Sequence, residues 1–134
     1  MTSHHITRAL AGVCLTATIV LSAASARAAA SDYRFEVANV KAAGSKSDVT
    51  VRLLHVTDKK PVTDAVIFEV SADMGPDGMP TMKAPAKLMP ASQPGLYVIE
   101  VEPGMGGTWA LQLAAKVQGE TETVRATLPV KLGK

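Results

Sequence analysis

From Tyr33 onward the apolar residues recur at every second position, in short runs cut by turn residues. Successive side chains of an extended chain point to opposite faces, so this period marks strands with one buried face. Trp109, Leu111, Leu113, Ala115 and Val117 make the longest clean alternation. Val49, Val51 and Leu53 make another, and Val124, Ala126, Leu128 and Val130 a third. Tyr33, Phe35 and Val37 alternate near the start, and Val66, Phe68 and Val70 share one face of a further run.

Turn residues punctuate these runs at Ala43-Gly44-Ser45-Lys46, Asp58-Lys59-Lys60-Pro61, Ser92-Gln93-Pro94-Gly95, 102–107 and Gln118-Gly119-Glu120-Thr121. Glycine and proline break strands there for conformational reasons. The pattern predicts about seven antiparallel strands at 33–40, 49–56, 66–70, 82–89, 96–101, 109–117 and 124–130. Residues 73–80 read as a loop. Pro85 and Pro90 make 82–89 an edge strand, because proline donates nothing to a ladder. Seven short strands at this spacing predict an all-β, immunoglobulin-like sandwich over residues 31–134. The cysteine pair of true immunoglobulin domains is absent, so the likeness is one of architecture.

Residues 1–30 follow a different rule. Arg8 precedes an apolar run from Ala9 to Leu21, and small residues follow through Ala30. A charged start, an apolar middle and small residues at the cleavage point define a secretory signal. The run is shorter than the roughly 20 residues that cross a bilayer core. Cleavage is expected after Ala28 or Ala30, with no stable membrane anchor afterwards and a periplasmic or otherwise exported location. Removing the first 30 of the 134 residues leaves 104, one domain's worth. Arg8 and Arg27 leave with it, so the 14 basic residues become 12, against 12 acidic ones. A neutral chain with no basic stripe gives no reason to expect nucleic acid as a partner. The single cysteine, Cys14, also leaves, and His55 becomes the sole histidine. Cysteine nucleophiles, cysteine–zinc sites and disulfides go with Cys14.

Methionine is the residue type that stands out. Five remain: Met74, Met79, Met82, Met89 and Met105. The thioether is a soft neutral donor, the kind that selects Cu(I). In an up-and-down antiparallel chain alternate loops share an end. Met74, Met79 and Met82, in and beside the 73–80 loop, are therefore expected at the same end as Met105. His55 and Met89 are expected toward the opposite end. These four methionines are the candidate metal ligands. The competing reading is an apolar plug over the end of the sandwich, since methionine fills irregular gaps. Calcium does not suit Asp73-x-Gly75-x-Asp77-Gly78, because Ala84 stands where the bidentate acid is needed. Asp73 and Asp77 lack the cleft that glycoside chemistry requires. No catalytic constellation is visible, and Trp109 reads as a core anchor.

The segments Pro61-Val-Thr-Asp-Ala-Val66, Asp73-Met-Gly-Pro-Asp-Gly-Met79, Pro94-Gly-Leu-Tyr97 and Gly107-Thr-Trp-Ala-Leu-Gln-Leu113 occur in an order and spacing that resembles the FixH/YtkA-like domain family. The resemblance spans about Asp48 to Leu132. It implies a β-sandwich module of the bacterial envelope, associated with copper handling, heavy-metal efflux and assembly of the cbb3-type cytochrome oxidase. FixH proteins keep a membrane anchor, whereas this chain is expected to lose its N-terminal segment. Two functions follow as expectations. One is a periplasmic, non-catalytic protein that binds Cu(I) through the methionine-rich loop. The other is a metal-free module that docks on an efflux or oxidase-assembly membrane protein. Intact mass of the exported protein checks the processing: the expected species lacks 28 or 30 residues, and a membrane-retained full-length chain is the contrary result.

Overall fold

The computed structural model describes residues 30–90 and 93–133, so all but Ala30 of the expected signal segment 1–30 lies outside the described residues. A 3-10 turn at Ala30–Asp32 leads into eight strands: β1 Tyr33–Ala43, β2 Lys46–His55, β3 Ala65–Met74, β4 Met79–Ala84, β5 Ala86–Met89, β6 Leu96–Val101, β7 Gly107–Val117 and β8 Thr123–Leu132. They form two four-stranded antiparallel sheets, ordered β1-β2-β6-β5 and β4-β3-β7-β8. This is the expected sandwich, with one strand more. Among the described residues no helix is long and apolar enough to cross a membrane.

The core is the product of the alternation. Val49, Val51 and Leu53 of β2 and Ile99 and Val101 of β6 are sealed from solvent. They meet Trp109, Leu111, Leu113, Ala115 and Val117 of β7, the inward set that the period predicts. On β8, Val124, Val130 and Leu132 are buried, while Ala126 and Leu128 pack at its margin. The outward face is closed in places by polar side chains. Arg125 Nη1 donates to Glu69 Oε2 at 3.0 Å, and both residues stand beside fully buried Ala114 in the register.

Three departures from strict alternation have identifiable causes. The expected single strand at 82–89 is two. β4 pairs with β3 and β5 with β6, so the chain changes sheets at Pro85. Proline cannot donate to a continuing ladder, and the Pro85 carbonyl instead accepts from Glu102 N at 3.0 Å. The expected loop at 73–80 is shorter than predicted, because Met74 closes β3 and Met79 opens β4. Only a 3-10 turn, Gly75–Asp77, and Gly78 lie between them.

Finally, the face shared by Val66, Phe68 and Val70 does not persist. Register shifts between Ile67 and Glu69, which leaves Phe68 as the extra residue of a bulge. An extra residue exchanges the two faces. Ile67 points inward before the bulge, and Val70, Ala72 and Met74 pack inward after it. Val66 and Phe68 are left 64% and 54% exposed. A similar shift between Val37 and Asn39 on edge strand β1 makes Ala38 the extra residue. It keeps Val37 and Val40 on the face of their buried register partners Val51 and Val49, although both stay partly open at 36% and 39%.

Trp109 is 1% exposed, and its indole Nε1 donates to the Met105 carbonyl at 3.3 Å. Truncating a buried aromatic typically costs ~3–5 kcal/mol, against a total of roughly 5–15 kcal/mol for a domain. Trp109→Ala is expected to be largely unfolded at ambient temperature, read by denaturant titration followed by circular dichroism.

Candidate functional site

The antiparallel order fixes which loops share an end. β3 and β6 run in the same sense, so the β3–β4 connection and the β6–β7 turn emerge together. Specific contacts then join them. Asp77 Oδ2 accepts the backbone N–H of Thr108 at 2.8 Å. Met74 lies against Gly107, where a Cβ would stand 2.5 Å from Met74 Cε and 2.6 Å from Asp77 Oδ2. Only a residue without a side chain permits that approach. The β3–β4 connection is itself braced: Asp73 Oδ1 accepts from Gly75 N at 2.8 Å and Asp73 Oδ2 from Gln112 Nε2 at 2.6 Å. Gly78, at φ 79°, supplies the left-handed residue that ends the 3-10 turn.

The four candidate ligands occupy this end at different depths. Met74 is 1% exposed and belongs to the core, where it closes the end of the sandwich beneath Gly107. Met79 is its register partner across the hairpin and is partly buried against the core. Met82 stands on edge strand β4, in the stretch that the ladder skips between Met79 and Lys83, and is 40% exposed. Met105, in the turn joined to this hairpin through Asp77, is also 40% exposed. The apolar-plug reading thus describes Met74, while Met82 and Met105 keep half-open side chains.

His55 and Met89 lie toward the opposite end. Ser47 is register partner to Val101, just before the methionine end, and His55 is eight residues further along β2. At ~3.3 Å per residue that is roughly 26 Å. There Tyr33 and His55 stack at a tilt, 5.4 Å between centroids, and the Tyr33 hydroxyl donates to Glu120 Oε1 at 2.9 Å. Burial pushes the Tyr33 phenol up to about 12, and the bond to Glu120 adds to the rise. His55 Nδ1 lies 3.0 Å from Asp58 Oδ1, which also accepts from Lys60 N at 3.2 Å. That backbone donor first, and His55 second, hold the Asp58 carboxyl below the usual carboxylate range.

The chemistry of the methionine end follows from its donors. Two of its carboxylates, Asp73 and Asp77, are committed to N–H groups that build the loop, while Glu102 in the β6–β7 turn is exposed. Among the described residues no group of three His, Cys, Asp or Glu side chains could hold a metal ion. The thioethers at this end are neutral, soft donors, the class that suits a soft monovalent ion. The joint between Asp77 and Gly107 was invisible in the sequence, where Gly107 reads only as part of a glycine-rich turn. The spacing of Asp73 and Asp77 was visible, but not its use as scaffolding.

Comparison with known proteins agrees with this architecture. A family model described as YtkA-like matches residues 27–114. No curated protein matches the chain. Among solved structures, a DUF4426 family protein from Pseudomonas aeruginosa is similar at a TM-score of 0.54 and 16% identity. The match covers 76% of this chain and 91% of that one. At that identity the likeness is one of fold.

The contact at Gly107 is testable. Gly107→Ala must displace both Met74 Cε and the carboxylate that holds Thr108. Overpacking of this kind costs ~1–3 kcal/mol, and a lowered thermal midpoint is expected. Gly104→Ala, where an added Cβ meets nothing within 4 Å, is expected to leave the midpoint nearly unchanged.

Proposed function

The chain belongs to the YtkA-like family, and we propose that it is an exported, non-catalytic metal-handling module that takes Cu(I) as cargo on the thioethers at one end of its sandwich. The donors in this reading are Met79, Met82 and Met105, with Met74 as the apolar floor behind them. The observation that carries it is the tie between the β3–β4 connection and the β6–β7 turn through Asp77, Thr108 and Gly107. That tie gathers methionines far apart in sequence at one end, with Met82 and Met105 still open to solvent. Thioethers are neutral, so gathering them carries no charge repulsion. They favour Cu(I) over the harder ions that compete in an envelope compartment.

A second reading rests on the same exposure. Half-open methionines form an adaptable apolar contact surface, and this end would then dock on an efflux or oxidase-assembly membrane protein without metal.

Replacement by leucine separates the two. Leucine nearly matches methionine in volume and apolarity, so each exchange is expected to cost less than ~1.5 kcal/mol. The sulfur, however, is gone. The Met79→Leu, Met82→Leu, Met105→Leu triple variant is expected to fold normally and to lose Cu(I) in competition with a chelator. Met74→Leu and His55→Ala are expected to keep wild-type affinity. If the wild type takes up no Cu(I), or the triple variant binds as well as wild type, metal handling at this end is wrong and the docking module takes its place.

A further inference from the structure

The end opposite the methionines carries an open groove of about 440 Å3 on the outer face of β1 and β2. Its position follows from the alternation. Phe35 and Leu53 are buried inward, so their strand neighbours Arg34, Glu36, Arg52 and Leu54 face out and line the groove. The loop after β2 adds Lys59 at the rim, and Val56 and Pro61 join Leu54 as apolar wall.

The charge in this groove is uneven. Arg52 Nη2 is paired with Glu36 Oε2 at 3.0 Å. Arg34 and Lys59 have no side-chain partner among the described residues. Three cations against one carboxylate leave a surplus of two positive charges, on a domain whose residues 31–134 carry equal numbers of basic and acidic side chains.

Lys59 adds a second, independent observation. Its φ is 55°, and it is the one non-glycine residue in the left-handed region among the described residues. A lysine there is strained relative to glycine or asparagine. Three hydrogen bonds hold the loop in place: Lys59 N to His55 O, His55 N to Lys60 O, and Lys60 N to Asp58 Oδ1. The chain thus keeps a cation at a position where glycine would be easier, and the loop sets it beside the groove.

We propose that this groove is a binding site for an organic anion with a carboxylate or phosphate head and an apolar body. Arg34 supplies a planar fork suited to two oxygens of such a head. Lys59 supplies a point charge from the rim. Leu54, Val56 and Pro61 give the body an apolar wall. The volume falls within the ~300–1,000 Å3 range of small-molecule sites.

The test is an NMR titration of the purified protein with hexanoate, hexyl phosphate, acetate and hexylammonium. Hexanoate or hexyl phosphate is expected to shift the amides around residue 34 and residues 52–61. Acetate is expected to bind several-fold more weakly, and hexylammonium not at all. Arg34→Gln is expected to weaken binding about ten-fold or more, the usual size of a lost charge-assisted hydrogen bond. Lys59→Gly is expected to weaken it too, while its thermal midpoint stays level or rises, because glycine adopts the left-handed conformation without strain. A residue serving only the fold would not show that opposition. Sedimentation with phosphatidylglycerol against phosphatidylcholine vesicles identifies the source of the anion. Pelleting lost in the Arg34→Gln, Lys59→Gly double variant assigns the head to a lipid. A positive hexanoate titration without pelleting assigns it to a soluble molecule. Equal binding of hexylammonium and hexanoate, shifts scattered over the surface, or wild-type affinity in the double variant would overturn the site.

Discussion

Everything in this domain depends on the packing of β7 against β2. Trp109, Leu111, Leu113, Ala115 and Val117 on one sheet meet Val49, Val51 and Leu53 on the other. Neither a disulfide nor a described metal cluster supplements that contact. A sandwich of about 100 residues buries a modest share of its surface, so its inward side chains have to carry the stability. The Trp109 indole also finds a partner for its N–H in the Met105 carbonyl. The largest core residue is thereby tied to the turn that brings the methionine end together. Core and site are mechanically one unit at this point.

That arrangement explains which parts of the fold could be read from sequence. β2 pairs with β6, and β7 with β8, through unbroken registers, and simple alternation located β2, β7 and β8. β3 is different. Its even-numbered residues Val66, Phe68, Val70, Ala72 and Met74 look like one face, yet the bulge at Phe68 splits them. The inward set is Ile67 on one side of the bulge and Val70, Ala72 and Met74 on the other. A bulge leaves no compositional mark, because it is a choice of pairing and not of residue type. The change of sheet at Pro85 had a mark, the proline itself, but a proline announces an interruption without saying which sheet follows.

The candidate site divides along the same line. Loop parity was enough to bring the β3–β4 connection and the β6–β7 turn to one end, because it depends only on strand count. Splitting 82–89 in two did not disturb it: β4 and β5 run in the same sense, so the count of reversals is unchanged. The depth of each methionine was not accessible, since depth depends on the local register. Met74 follows Ala72 at strand spacing and belongs to the core, while Met82 falls in the skipped stretch of β4 and stays open.

The two ends also differ in how their charged groups are used. At the methionine end, Asp73 and Asp77 spend their oxygens on Gly75, Gln112 and Thr108. They give acceptors to N–H groups that an irregular loop would otherwise leave without a protein partner. Those two acids serve as scaffold, and the half-open side chains beside them include the neutral thioethers of Met82 and Met105. At the far end the logic reverses. Asp58 braces the loop through Lys60 and His55, while Arg34 and Lys59 stand beside a concave surface without partners among the described residues. A charged side chain that satisfies the backbone is bound to its loop, whereas an unpaired cation over an apolar wall has its interaction still to make. The same sandwich thus presents soft, uncharged donors at one end and unspent positive charge at the other, roughly 26 Å apart at the rise of an extended strand. At physiological ionic strength that separation is about three Debye lengths. Charge at one end is therefore largely screened from the other.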